Sequence, residues 1–293
     1  MAQVLAVPGD KRHGFDIIHS LFHDFGRITG IAVSKENNVL LCDYIKNQLL
    51  LFDEEENYLS CITLTGSPWD VAISNQNIAY VTMPTEQCIL QVDPDKLCIY
   101  AKTVFQDSNM SICCMSSAMS MKGPNAYLGY VSGNFSYAKP FQSGAYCIST
   151  FFRTSDVKLG KEMAIKLHTV QTSLGNMKYY SCVSGQNHLT ITPNIEICNM
   201  FKDMDEANEI ANVEFPTLRG PSDICSDDYG HIYVSGQYSH NIHRLTEDDK
   251  IIDIPLSSQH GINYPVAMCF NRNYTKLYIV NEWGKSVMLF NVI

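Results

Sequence analysis

Two histidines three residues apart, His240 and His243, are the first residues in this chain whose spacing could hold a metal ion. In a strand or a turn that spacing does not place both side chains on one face, as it would on a helix, and no carboxylate or cysteine with ligand spacing accompanies them. The sequence also lacks a C-x-x-C pair, a glycine-rich phosphate loop and a G-x-S-x-G elbow. We therefore expect no metal site, no cofactor and no catalytic residue.

The composition is typical of a strand-rich domain with a large core. The chain has 293 residues, of which 45% are hydrophobic and 11% aromatic. No apolar run approaches the roughly 18 residues that a membrane helix needs. The 11 cysteines are an odd number, and the first residues lack the basic stretch of a signal peptide, so we expect reduced thiols and a cytoplasmic location. The sequons at Asn109, Asn134 and Asn273 keep secretion open as the alternative.

The charge balance argues mildly against a general nucleic-acid binder. The formal net charge is -9, whereas polyanion-binding proteins are usually basic. Acidic residues cluster at 53–56, 203–209 and 227–228. A local basic face remains compatible with this average.

A repeated pattern indicates the architecture. Residues 29–52 and 265–290 each contain a short apolar run, a polar turn, a second run, another turn and a third run that ends in Phe. Further copies lie at 221–245 and 68–92. A repeat of this length with three or four strands is typical of a β-propeller. We predict a single all-β domain over residues 1–293, built from four-stranded antiparallel blades.

Counting the repeats predicts six blades. First strands are expected near residues 31, 71, 119, 181, 224 and 268, with 118–121 opening the third blade and 180–183 the fourth. An insertion is expected near 132–144, and 145–167 is assigned to outer strands of the third blade. Seven blades are the alternative if 145–167 forms a unit of its own. The last repeat ends after its third strand, so we predict that the segment 16–23 closes the ring as the fourth strand of the last blade.

The turn between the second and third strands carries its own signature. An acid or amide ends the second strand and a second polar residue begins the third, as in Asp43 and Asn47, where side-chain oxygens can accept backbone N–H groups of the turn. The pattern D-x-x-x-N-x-L-x-x-F resembles the NHL repeat, and the chain resembles the C-terminal propeller of tripartite-motif (TRIM-like) proteins of invertebrates. The likeness covers the first, second, fifth and sixth repeats.

The resemblance implies a binding surface on the top face, formed by the loops into the first strands and the turns between second and third strands. NHL domains bind proteins or RNA there. Carried over residue by residue, the likeness implies partner contacts from exposed rings and cations, which suit a protein hot spot or base stacking. These residues are Arg27, Tyr44, Lys46, Trp69, Phe135, Tyr137, Lys139, Arg219, Tyr238, His240, Tyr264, Trp283 and Lys285.

The expected function is a monomeric, non-enzymatic binding module that recognises a protein, such as a substrate recruited for a TRIM-like ubiquitin ligase. The chain lacks RING cysteines, so it would be either the excised C-terminal domain or a stand-alone relative. Single-stranded RNA binding on the same face is the alternative. A third possibility, a calcium-dependent hydrolase, would need several calcium ligands at the central channel. Asp70 and Asp223 are the two candidate carboxylates there. The simpler interpretation is that each of them caps a turn.

Overall fold

Alternating apolar and polar runs make this chain an all-β propeller with four-stranded antiparallel blades. The computed structural model describes residues 14–74, 76–104 and 216–293 with their side chains, and the backbone of further strands between residues 114 and 214. Within the part described with side chains, four blades are complete, against the six blades that the sequence predicts.

Each complete blade is a sheet whose strands follow one another from the central channel outward. One blade contains β2 (Ile28–Val33), β3 (Val39–Asp43), β4 (Gln48–Phe52) and β5 (Tyr58–Thr63). The next contains β6 (Val71–Ile73), β7 (Ala79–Met83), β8 (Cys88–Val92) and β9 (Ile99–Val104). A third contains β17 (Pro221–Ser226), β18 (Ile232–Gly236), β19 (Asn241–Leu245) and β20 (Ile251–Ser257).

The fourth complete blade joins the two ends of the described chain. It contains β21 (Ala267–Phe270), β22 (Lys276–Asn281) and β23 (Ser286–Val292), and its outer strand is β1 (Phe15–Leu21). β1 pairs antiparallel with β23, with Phe15 opposite Val292 and Leu21 opposite Val287. The predicted closure by an N-terminal strand is therefore confirmed.

Two further sheets are described by their backbone strands. One contains β13 (Ile165–Gln171), β14 (Met177–Val183), β15 (His188–Pro193) and β16 (Ala211–Glu214), all antiparallel. The other contains β10 (Cys114–Ser120), β11 (Gly123–Gly129) and β12 (Tyr146–Cys147), and β12 runs parallel to β11. Among the described strands this sheet has three, and the parallel pairing of β12 with β11 departs from the predicted antiparallel blade.

The predicted register of the β13–β16 sheet is wrong. We expected 180–183 to open a blade, but these residues end β14, which is the second strand of its sheet. The first strand is β13, whose residues we had partly assigned to the preceding blade. The physical reason is that the sequence here lacks an acid–turn–amide signature, and two adjacent apolar runs look alike whether they are first and second strands or second and third.

The core lies between neighbouring blades. Phe52 at the end of β4 is 1% exposed and packs in a cluster with Tyr278 of β22 and Leu289 of β23. Phe290 is 0% exposed and packs with Tyr233 of β18. These are the interblade roles expected for the residues that end the third strands. No described residue belongs to a helix that is long and apolar enough to cross a membrane.

Candidate binding face

The loops before the first strands and the turns between second and third strands meet on one side of the propeller, which we call the top face. Three pairs of predicted contact residues are joined there by equivalent backbone hydrogen bonds. Tyr44 N–H donates to Arg27 O at 2.9 Å, Tyr238 N–H to Arg219 O at 3.0 Å, and Trp283 N–H to Tyr264 O at 3.2 Å. The sequence repeat therefore places these residues at equivalent positions in three blades.

Buried polar side chains hold these loops in place. The Asp43 carboxylate, 0% exposed, accepts hydrogen bonds from the backbone N–H groups of Gly26 at 2.7 Å, Arg27 at 3.1 Å and Lys46 at 3.1 Å. Asn281 has the equivalent role in the last blade, since its Oδ1 accepts a hydrogen bond from Asn263 N–H at 2.8 Å. The predicted turn motif thus anchors the preceding loop as well as its own turn, and it keeps the top-face backbone rigid.

Four rings from two adjacent blades form the centre of this face, and we call them the aromatic cluster: Tyr238, His240, Tyr264 and Trp283. Tyr264 stacks on Trp283 with ring centroids 4.7 Å apart, and Tyr238 meets Trp283 edge to face at 5.8 Å. His240 meets Tyr264 at 4.4 Å. Tyr238 remains 49% exposed and Trp283 38%, so the cluster is packed internally while it presents apolar area to solvent.

The backbone of the aromatic cluster adopts an unusual conformation. His240, Tyr264 and Trp283 have φ values of 54°, 46° and 58°, in the left-handed region that costs a side-chain-bearing residue about 1–2 kcal/mol. Tyr264 N–H donates to His240 Nδ1 at 3.1 Å, which helps to hold two of these residues together. Such strain is often found at functional sites because it presets side chains for a partner.

Beside Tyr238, a glycine makes room for the ring. Gly220 has a φ of +59°, and a Cβ atom at this position would overlap the Tyr238 side chain. The glycine therefore satisfies both the left-handed turn and the close approach of the ring.

A second group, the indole subsite, lies between the β2–β5 and β6–β9 blades and consists of Arg27, Tyr44 and Trp69. The guanidinium carbon of Arg27 lies 5.8 Å from the Trp69 ring centroid, within range of a cation–π interaction. Tyr44 packs edge-on against the same ring at 5.3 Å. Arg27 Nε and Trp69 Nε1 are both enclosed, and neither has a hydrogen-bond acceptor among the described residues.

Two lysines connect and flank these groups. Lys285 Nζ donates to the carbonyl oxygen of Gly26, and so links the turn of the aromatic cluster to the loop of the indole subsite. Lys46 Nζ pairs with Asp24 at 2.5 Å, and the hydrogen bond and charge of Lys46 lower the pKa of the Asp24 carboxyl below its ordinary value. The described top face is consequently a continuous band across four blades.

Some predicted contact residues are not seen in these groups, and two exposed apolar residues of the top face were not predicted. Arg219 is exposed next to Tyr238 but makes no described ring contact, and Phe135, Tyr137 and Lys139 lie outside the described residues. The prediction overlooked Ile45, 61% exposed in the Tyr44–Asn47 turn, and Phe22, 72% exposed in the loop after β1. Ile45 had a signal, since an apolar residue inside a polar turn is unusual, whereas Phe22 follows a strand and looked like part of it.

Charge is distributed unevenly between the two ends of the propeller. The top loops carry four cations, Arg27, Lys46, Arg219 and Lys285, together with the accessible acids Asp24, Glu86 and Glu282, and two further acids, Asp43 and Asp70, are buried there. The opposite turns, which we call the bottom face, hold most acids of the part described with side chains. They are Glu36, Asp53, Glu54, Glu55, Glu56, Asp93, Asp95, Asp227, Asp228, Glu247, Asp248 and Asp249.

The residues considered for metal binding occupy separate surroundings. The His243 side chain is 1% exposed, its Nε2 lies 2.9 Å from Thr217 Oγ1, and burial lowers its pKa to about 4. Asp223 Oδ2 accepts from Met268 N–H at 2.6 Å and so bridges β17 to β21, a role between blades that the sequence did not predict. Among the residues described with side chains, no group of three or more His, Cys, Asp or Glu could hold a metal ion.

Comparison with known proteins supports the fold. No family model and no curated protein matches the chain. A catalytically inactive variant of virginiamycin B lyase from Staphylococcus aureus with quinupristin superposes with a TM-score of 0.63 and 14% identity, covering 96% of this chain and 100% of the lyase.

Two other solved structures superpose on the chain with similar TM-scores. A streptogramin B lyase gives a TM-score of 0.62 at 11% identity, over 96% of this chain and 98% of that one. A structural genomics protein of unknown function from Bacteroides thetaiotaomicron gives 0.61 at 13% identity, over 96% and 73%. At such identities the likeness concerns the propeller fold alone.

Proposed function

We propose that the chain is a six-bladed, NHL-type propeller whose top face binds an exposed segment of a partner protein. The six-blade count is supported by the contacts among first strands, since β2, β6, β10, β13, β17 and β21 follow one another around a ring and β21 contacts β2. The NHL assignment rests on the turn motif, whose Asp43 and Asn281 side chains organise the top loops.

The observation that carries the proposal is the aromatic cluster. Two rings, Tyr238 at 49% and Trp283 at 38% exposure, share one patch, and the backbone of Trp283 and of its neighbours His240 and Tyr264 is left-handed. Exposed apolar area of this kind costs free energy in water, and Tyr and Trp are the residues that most often dominate protein interfaces. Exposed Ile45 and Phe22 extend the apolar area along the same face.

The arrangement of the rings favours a protein over a nucleobase. A base stacks on a free ring face, whereas Trp283 already receives Tyr264 in a stacked geometry and Tyr238 from another side. Side chains of a protein segment can pack on ring edges as well as on faces. By the resemblance, the partner would be a substrate recruited for a TRIM-like ubiquitin ligase in the cytoplasm, with the propeller itself monomeric.

The experiment is selection of random twelve-residue peptides displayed on phage, followed by binding titration of the enriched peptides. The double variant Trp283→Ala/Tyr238→Ala should weaken binding by about 2–4 kcal/mol, with a melting temperature close to that of the parent protein. The matched control is Tyr229→Ala, which removes an exposed ring from the bottom face. Peptides that bind the double variant as tightly as the parent would refute the proposal.

Single-stranded RNA binding is the second candidate, and the charge asymmetry favours it. The top face balances four cations against the acids Asp24, Glu86 and Glu282, whereas the bottom face is strongly acidic, so a polyanion would approach the top face in preference to the bottom despite the net charge of -9. A titration with random single-stranded RNA at increasing salt tests this. Binding that weakens steeply with salt and requires Arg27 and Lys285 would promote RNA over protein, and the lack of binding at low salt would eliminate RNA.

A further inference from the structure

The indole subsite contains two hydrogen-bond donors that the described protein leaves unused. Arg27 Nε and Trp69 Nε1 are shielded from solvent and have no acceptor among the described residues. An enclosed donor without an acceptor loses its hydrogen bond to water and gains none in return, so proteins rarely keep one, and two on neighbouring side chains are rarer still.

The surroundings explain why the free protein does not satisfy these donors itself. The Asp43 carboxylate is committed to the backbone of this loop, since its oxygens accept the N–H groups of Gly26, Arg27 and Lys46. Asp24, the other acid of this loop, pairs with Lys46. The backbone of Trp69 is fixed by donation of its N–H to Thr82 O at 2.8 Å, so the indole stays in place.

We infer that the indole subsite recognises a carboxylate, namely an Asp or Glu side chain within the extended partner segment that covers the aromatic cluster. This inference rests on the proposed function and adds the chemistry of the partner. Arg27 covers the indole at 5.8 Å, and its long side chain can turn outward to expose both groups. A guanidinium offers a planar fork that matches a carboxylate, and the indole N–H adds a further donor.

The position of the subsite specifies what else the segment must carry. Lys285 donates to Gly26 O and joins the two groups into one band, so a segment that crosses the band meets the aromatic cluster at one end and the indole subsite at the other. We therefore expect an acidic side chain separated by a few residues from an aromatic or aliphatic anchor. Arg27 and Lys285, which lie along this path, favour an acidic segment, and the acidic bottom face repels it.

The test uses peptides enriched in the phage selection, resynthesised with an amidated C-terminus so that side chains supply the only carboxylates. In each peptide the acidic residue is changed to its amide, and both forms are titrated against the parent protein, Arg27→Gln and Trp69→Phe. Trp69→Phe keeps a ring and removes only the N–H donor. Arg272→Gln, an exposed arginine of the bottom face, is the control.

The expected result is a loss of about tenfold when the acid becomes an amide on the parent protein, and a similar loss for the acidic peptide on Arg27→Gln. The two losses should not add, because they remove the same interaction. Arg272→Gln should retain the full acid preference.

Two results would overturn the inference and leave the proposed function standing. One is enriched peptides that need Trp283 and Tyr238 but share no acidic residue. The other is an acid preference that is unchanged in both Arg27→Gln and Trp69→Phe. If instead random RNA binds and Arg27→Gln weakens it while no peptide is enriched, both proposals fail and the acceptor is a phosphate.

Discussion

The two faces of this propeller hold their turns in different ways. At the bottom, polar side chains hold their own turns and also link neighbouring blades: Asp53 Oδ1 accepts from Asn57 N–H at 2.7 Å, and Asn77 Oδ1 accepts from Lys35 N–H of the preceding blade at 2.8 Å. On the top face Asp43 and Asn281 reach out of their own turns to hold the neighbouring loops. The bottom turns are therefore joined by polar groups near the surface, as where Asn37 Oδ1 accepts from Arg272 N–H at 3.4 Å, whereas the top loops are held by buried side chains beneath exposed rings.

The difference between the faces bears on the proposal that the top face binds a partner. Left-handed backbone occurs on both faces, and at the bottom it is found in short polar residues that tolerate it best, such as Asn37, but also in Leu97 and Tyr274. On the top face it is found in three residues of the aromatic cluster, His240, Tyr264 and Trp283. The top face differs in that its exposed rings contact one another in a single cluster and lie on the same face as two enclosed donors, so the loss of the residues that hold it should have larger effects than the opening of one bottom turn.

Removal of the scaffold beneath both faces should have the largest effect. Phe52→Ala is expected to lower the free energy of unfolding by about 3–5 kcal/mol, because it leaves a cavity between two blades. Chemical denaturation measures this change. Phe52→Leu, which refills most of the volume, should recover much of the loss. A melting temperature near that of the parent protein would show that the repeat register is misassigned.

Loss of the top-face anchor should be nearly as damaging. Asp43→Ala leaves three backbone N–H groups without their acceptor and should lower the free energy of unfolding by about 3 kcal/mol or more. It should also abolish peptide binding, because the loop that carries Arg27 is released. Denaturation and peptide titration read out the two effects, and intact binding by this variant would contradict the view of the top face as one surface.

Acidification should lower the free energy of unfolding in two separate pH ranges, one set by His243 and the other by Asp227. The pKa of His243 falls to about 4 on burial, below its ordinary value of roughly 6.5. The unfolded chain therefore binds the proton first, and stability should fall by up to about 3 kcal/mol as the pH drops from 6.5 to 4.

The bottom face responds only in stronger acid. Burial alone raises the pKa of Asp227, but hydrogen bonds from His231 and Tyr233 lower it overall below 3.8, so its contribution is present above that pH and is lost as the pH falls further. Unfolding curves between pH 7 and 4.5 test the His243 effect. His243→Gln should flatten the decline, and an equal decline in this variant would assign it to another group.

Opening a single bottom turn should have the smallest effect. Asp53→Ala removes one backbone hydrogen bond and the contact with Asn57 Nδ2 at 2.9 Å, both near solvent, so we expect a loss of about 1 kcal/mol. Peptide affinity should be unchanged. A loss as large as that of Asp43→Ala would show that the two faces are not built differently.

Much of the fold and of the top-face arrangement could be predicted from the sequence. The repeat, the turn motif and the closing strand depend on local patterns, so they could be predicted, as could the equivalence of Tyr44, Tyr238 and Trp283. The start of the β13–β16 sheet could not, because its strands lack the turn signature that sets the register. Nor could the unused donors of Arg27 and Trp69 be foreseen, since they depend on which acceptors other residues have already occupied.

The pairing of β1 with β23 has a consequence for how the chain folds during synthesis. Gly14 and Ile293 exchange backbone hydrogen bonds, so the last blade needs strands from both ends of the described chain. A ribosome would release β1 long before β23 exists, and in that interval its Ile17 and Ile18, still 56% and 39% exposed in the finished fold, would lie on an open sheet edge. Such edges are prone to pair with other chains, so slow translation or chaperone shortage should reduce the yield of this protein more than its final stability suggests.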